Sequence, residues 1–241
     1  MTTLAPPMKS ATPVPMWPIP HRFSVEDYFR LKDSGIIPSG QRTELIRGLI
    51  TDILPEGDYR APHRFTIAEY DRMGELGLLP ERTELIRGEV IDKMPHGDPH
   101  SMCLELLYRL LVGLLPMPIC VRCQSPVLMA DSAPEPDFSI STPTSSRSGR
   151  RPTADDVYIL IEVSDSTLAG DRTTKLELYA ENGIVEYWII NLPDDCVEVY
   201  TRPIAAELRY EGKAVYSRGQ SVPLNVAGLA AQAIPVDSLL P

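Results

Sequence analysis

Two acidic residues, Asp137 and Glu162, and one lysine, Lys175, stand in stretches that otherwise read as buried. Asp137 closes PEPD ahead of the apolar FSI, and Glu162 interrupts VYILIEV, which places apolar residues on both faces of an extended chain. A buried carboxylate is tolerated where a metal ion or an ammonium group offsets its charge. Two carboxylates and a lysine in this setting suggest a magnesium-dependent phosphodiesterase site. The alternative for Glu162 is that the strand ends there and the side chain faces water.

Lys175 has a helix to position it. Asp171 or Thr173 can cap a helix that Gly183 closes. At about 100° per residue Lys175 then falls on one arc with Leu176, Leu178, Tyr179 and Ala180, opposite Thr174, Glu177 and Glu181. Its ammonium either snorkels past the edge of the sheet or reaches the carboxylates. On the second reading, methionine at 175 should silence the site and leave the fold intact, because a thioether of similar length suits an apolar stripe. The following VEYWII, Val185 to Ile190, is largely apolar and suits a neighbouring buried strand.

At these residues the chain resembles the Uma-two family of putative restriction endonucleases, within the PD-(D/E)XK nuclease superfamily. The matching pieces are RTELIRGEVIDKMPHGDPH (82–100), PEPDFSI (134–140), LIEVSDSTLAGDRTTKLELYAENGIVEYWIIN (160–191) and CVEVY (196–200). Each piece alone is weak; the ordered set, covering most of residues 63–241, is specific. The resemblance implies an α/β (α+β) fold, a restriction endonuclease-like core with a central mixed sheet flanked by helices. Asp137 matches the acidic residue of the Pro-Asp motif and Glu162 that of the next strand. Two residues after Glu162, where the superfamily usually has lysine, stands Ser164; in this family a helix lysine matching Lys175 takes over. Glu84 matches a further family glutamate, an accessory ligand or a group that orients one.

The activity implied by the resemblance is that of a metal-dependent endonuclease acting on DNA. Magnesium prefers hard oxygen ligands and keeps several waters, so Asp137, Glu162 and a backbone carbonyl, that of Val163, would suffice; Mn2+ is an alternative ion. Such an ion lowers the pKa of a bound water, and Lys175 would orient that water or neutralise developing charge. Two other readings use the same residues: a degenerate nuclease fold that binds nucleic acid or protein without cutting, and a hydrolase of another phosphate ester.

A net charge of −10 looks wrong for a nucleic-acid enzyme, yet a nuclease needs only a local basic track. Arg147, Arg150 and Arg151, in a Ser-rich stretch between the two acidic strands, are the visible cluster, with a solvated loop as the alternative reading. Four cysteines, with Cys120 and Cys123 lacking a second pair, argue against a structural zinc site and fit a reducing compartment. LELLYRLLVGLL (104–115) is too short to span a bilayer and carries Glu105 and Arg109, so it reads as a helix covering the sheet. With no signal-like apolar core near the start, the expected location is cytoplasmic.

An internal repeat precedes the acidic strands. Residues 21–58 recur as 63–98, each copy reading as a short helix and a hairpin turning at Arg-Gly, Arg47-Gly48 and Arg87-Gly88. Only the second copy runs on into the long apolar helix and the acidic strands. The expected organisation is a flexible Pro-rich tail (1–20), a duplicated helix-hairpin module without its own site (21–62) and a nuclease domain (63–241). Cleavage of both strands would favour a homodimer. His100, Arg60 in the first copy, either contacts phosphate or simply starts the helix.

Overall fold

The computed structural model describes residues 18–54, 60–80, 82–143 and 149–241. At its centre is a six-stranded mixed sheet. Its strands are β7 (Cys120–Cys123), β8 (Phe138–Ser141), β9 (Val157–Ser164), β10 (Glu186–Asn191), β11 (Cys196–Ile204) and β12 (Arg209–Ser217), ordered β12-β11-β10-β9-β8-β7. Only β9 and β10 run parallel, which the intervening helix makes possible; every other neighbour is antiparallel.

β9 is buried along nearly its whole length and packs on both faces, hence an apolar run that only Glu162 and the closing Ser164 break. On one face Ile159, Ile161 and Val163 join Phe138, Trp188 and the helix α3 (Asp98–Leu114). α3 reaches them with His100, Cys103, Leu107 and Leu111, one helical stripe. The C-terminal segment, with the hairpin β13 (Ser221–Leu224) and β14 (Gln232–Pro235), closes the same core through Val222, Ile234, Leu239 and Leu240. The sequence offered no motif there; its role is packing.

The other face is covered by the segment that carries Lys175. It begins at Leu168–Gly170, widens into a π-helical turn over Asp171–Lys175 and continues as an α-helix over Leu176–Glu181. The cap at Asp171 or Thr173 expected from sequence is therefore not used. The wider turn instead brings both Asp171 and Lys175 inward, where each is buried.

Before the sheet lie two similar units. α1 (Val25–Asp33) and α2 (Ile67–Glu75) each start at a capping box, Ser24 with Asp27 and Thr66 with Glu69. Each is followed by a hairpin: β2 (Thr43–Ile46) with β3 (Leu49–Ile53), and β5 (Thr83–Ile86) with β6 (Glu89–Asp92). Both turn through Arg-Gly with positive φ at the two central residues, 51° and 82° in the first, 49° and 74° in the second, as a two-residue turn requires.

The leading strands are exchanged. β1 (Ile19–Pro20), before α1, pairs with β6 of the second unit, and β4 (Arg60–Pro62), before α2, pairs with β3 of the first. Beyond each strand a histidine meets an aspartate of the hairpin it crosses, His21 with Asp92 at 2.7 Å and His63 with Asp52 at 2.8 Å. Phe23 and Phe65 face each other at 6.0 Å, and Leu31, Ile37, Ile50, Met73, Leu85 and Val90 complete one core drawn from both units. A division at residue 63 separates the proposed site residues from a stretch that has none. It does not separate two cores.

Candidate active site

Glu84, Asp137, Glu162, Val163 and Lys175 line a single cavity, together with Lys93, His96, His100 and Asp171. The register explains how. Phe138 pairs with Ile161 across β8 and β9, so the next residues outward, Asp137 and Glu162, stand side by side at the end of that ladder. The N–H of Val163, beyond the end of β8, donates to Asp137 Oδ2 at 2.8 Å.

Asp137 is also held by α3. Nε2 of His100, in the first turn of that helix, lies 3.1 Å from the same Oδ2. Burial pushes the Asp137 carboxyl up, but the hydrogen bond and charge of His100 and the Val163 N–H reverse this and hold it below the usual range. Asp137 is thus an ionised acceptor, and His100 is the donor.

Glu162 is held from the helical side. Lys175 Nζ donates to its Oε1 at 2.8 Å and Tyr179 Oη to the same oxygen at 2.7 Å. Burial nevertheless pushes the Glu162 carboxyl up to about 8, against the pull of Lys175 and with the neighbouring Asp137, Asp171 and Glu84 adding to the rise. For Lys175 burial acts to lower the ammonium's pKa, but Glu162, Glu84 and Asp171 raise it above its ordinary value, so it stays charged.

Glu84 reaches the cavity from β5. Its Oε2 accepts the N–H of Glu135 at 3.0 Å and lies 3.6 Å from Lys175 Nζ. Ser164, two residues after Glu162, points its hydroxyl at Asp171 Oδ2, 2.7 Å away, and Thr167 does the same at 2.7 Å. Burial raises the Asp171 carboxyl. Four buried carboxylates, Glu84, Asp137, Glu162 and Asp171, therefore share one buried ammonium. Crowding of this kind away from water raises Glu162 and Asp171, and a bound cation would relieve it.

Asp171, His96 and Tyr179 were not singled out as site residues from sequence. Asp171 carried a signal, lying four residues before Lys175 and so within a turn of it, but as an Asp ahead of a helix it read as a cap. His96 stacks on His100, ring centroids 4.0 Å apart and 11° from parallel, and burial followed by the His100 charge pushes it down to about 4. Nitrogen and oxygen atoms of His96, His100 and Asp137 lie within 4.8 Å of one another. Lone pairs of two nearly parallel rings lie in separate planes, so this trio would have to unstack before its nitrogens met on one ion.

The arginines expected to touch phosphate are engaged elsewhere. Arg150 donates to both oxygens of Asp156, at 2.6 and 3.0 Å, and Arg151 to Asp71 at 2.8 Å. Neither lines the cavity. Arg147 lies outside the described residues. His100, for which the sequence left phosphate contact or helix initiation open, is buried against Asp137. All four cysteines are free thiols, and among the described residues no helix is long and apolar enough to cross a membrane.

Comparison with known proteins places these features in a family. A model described as Uma2, putative restriction endonuclease, matches residues 67–236. Among solved structures, a putative nuclease from Anabaena variabilis is similar at 19% identity and a TM-score of 0.49, over 69% of this chain and 96% of that one. No curated protein matches the sequence. With the family model spanning well over half of the chain, from α2 to the end of the C-terminal hairpin, the protein belongs to the Uma2 family.

Proposed function

We propose that the protein is a divalent-metal-dependent endonuclease of restriction endonuclease-like fold that hydrolyses phosphodiester bonds in DNA. The observation that carries this reading is the crowding of four buried carboxyl groups, Glu84, Asp137, Glu162 and Asp171, around the one buried ammonium, that of Lys175. Hard carboxylate oxygens fit Mg2+, with Mn2+ as a close substitute, and Asp137 and Glu162 would hold it, with the backbone of Val163 at the same wall. When bound, such an ion supplies Lewis acidity toward a phosphoryl oxygen and toward the attacking water.

The chain's own groups do the rest. Lys175 neutralises Glu162 and lies close enough to the cavity to meet the negative charge that grows on a phosphodiester under attack. Glu84 sits behind Lys175 and holds it in place, so its role is accessory. His96, at the exposed side of the cavity, is a group a substrate backbone would meet first, while Lys93 on the same wall is paired with Glu135 at 2.9 Å. Residues 63–241 would carry all of this chemistry, and cleavage of both strands would call for a homodimer. Free thiols throughout fit a reducing, cytoplasmic setting.

The test is incubation of the purified chain with supercoiled plasmid, single-stranded DNA and RNA in Mg2+, Mn2+ or EDTA. Plasmid should be cut with either metal and left intact in EDTA. Tight binding to DNA with no cutting in any metal would favour instead a nuclease fold retained as a binding module.

A further inference from the structure

We propose that His100 and Tyr179 are positioning residues that fix which oxygen of each central carboxylate faces the cation; this rests on the metal-site reading above. The donors are unevenly shared. Asp137 Oδ2 receives both His100 Nε2 and the Val163 N–H, at 3.1 and 2.8 Å, whereas Oδ1 has only the distant Gln124 amide at 3.4 Å. Glu162 Oε1 receives both Lys175 and Tyr179, at 2.8 and 2.7 Å, and no hydrogen bond reaches Oε2 among the described residues. Each carboxylate is thus clamped through one oxygen and keeps the other open. Asp137 Oδ1 and Glu162 Oε2 are the oxygens left for an ion.

Both clamps come from the helices that sandwich the sheet, α3 on one face and the Lys175 segment on the other. Their side chains are poor choices for packing alone. His100 is buried with Nδ1 unpartnered, a cost that leucine at this position would not carry. Tyr179 is fully buried, and phenylalanine would fill the same space without a hydroxyl to satisfy. Groups that orient metal-binding carboxylates typically change metal affinity by about 10- to 100-fold when removed.

The experiment is calorimetric titration of Mn2+ into the full chain and its His100→Leu, His100→Gln and Tyr179→Phe variants, with circular dichroism as the check on folding. His100→Leu and Tyr179→Phe should each weaken Mn2+ binding tenfold or more in a folded protein. His100→Gln, whose amide can still donate near the Nε2 position, should recover most of that loss, which a merely space-filling role would not produce. If His100→Leu fails to fold, His100→Gln and Tyr179→Phe still decide the matter. Binding within twofold of the parent for Tyr179→Phe, or equal loss in His100→Gln and His100→Leu, overturns the positioning roles while leaving the metal site standing. A parent chain that binds no Mn2+ overturns the site itself.

Discussion

Lys175 and Glu162, thirteen residues apart, meet in a buried hydrogen bond, Nζ donating to Oε1 at 2.8 Å. The lysine comes from a helix and the glutamate from the strand beneath it, so the contact joins the two layers that form the cavity. It is also the reason neither residue looks like its neighbours in sequence.

That pair changes one expectation. Methionine at 175 should still abolish cleavage, but it should not leave stability untouched, because it strands Glu162, Glu84 and Asp171 without their shared cation. Breaking a buried pair by removing one partner typically costs about 3–5 kcal/mol. Urea denaturation of Lys175→Met in EDTA should show a loss of that order at pH 8, and a smaller one at pH 5 where the carboxylates protonate.

The raised Glu162 carboxyl predicts a pH dependence of definite sign. Its folded pKa, about 8, lies above the ordinary value of 4.5, so between these limits the folded metal-free chain holds a proton that the unfolded chain has lost. Stability in EDTA should therefore fall as pH rises from about 5 to 8, and Glu162→Gln should flatten that slope. Metal binding, which needs the ionised form, should strengthen over the same interval and release a proton. A denaturation series that is flat in the parent from pH 5 to 8 would show Glu162 already ionised.

The arginine loop yields a separate prediction. Arg150 holds Asp156, which also caps the turn before β9 through Thr153, and Asp156 is kept far below the usual carboxylate range by Arg150 despite some burial. Arg150→Ala should lower stability only modestly, because the guanidinium is exposed, and leave DNA affinity unchanged. A lower salt dependence of DNA binding in that variant would instead restore the phosphate-contact role expected from sequence.

Truncation tests the boundary at residue 63. A 63–241 chain keeps every proposed ligand and should bind Mn2+ with the parent's affinity. It loses Phe23, Leu31, Ile37 and Ile50 from the shared core and β1 from the edge of β6, so its melting temperature should fall by on the order of 10 °C. Circular dichroism and calorimetry on the same sample separate the two effects.

The strand holding Glu162 was legible because VYILIEV is short, β-branched and apolar at both parities, as a strand buried on both faces is, and Lys175 because it interrupts a helical stripe. The exchange of leading strands was not legible, since Ile19–Pro20 and Arg60–Pro62 are too short to announce a partner. TELIRG shows the limit most clearly. The same six residues put Glu84 beneath Lys175, 1% exposed, and leave Glu44 at the surface paired with Arg60 at 2.8 Å. What differs is the element packed above, which no local pattern encodes. The π-turn that draws Asp171 inward is another such case, and it left a site carboxylate looking like a helix cap.

The central claim is that Asp137 and Glu162 together support metal-dependent cleavage. The most direct measurement is nicking of supercoiled plasmid in Mg2+ by the parent chain, Asp137→Asn and Glu162→Gln, each verified as folded. The parent should cut, EDTA should abolish that cutting, and both variants should lose at least a hundredfold in rate. Undiminished cutting by either folded variant would contradict the claim.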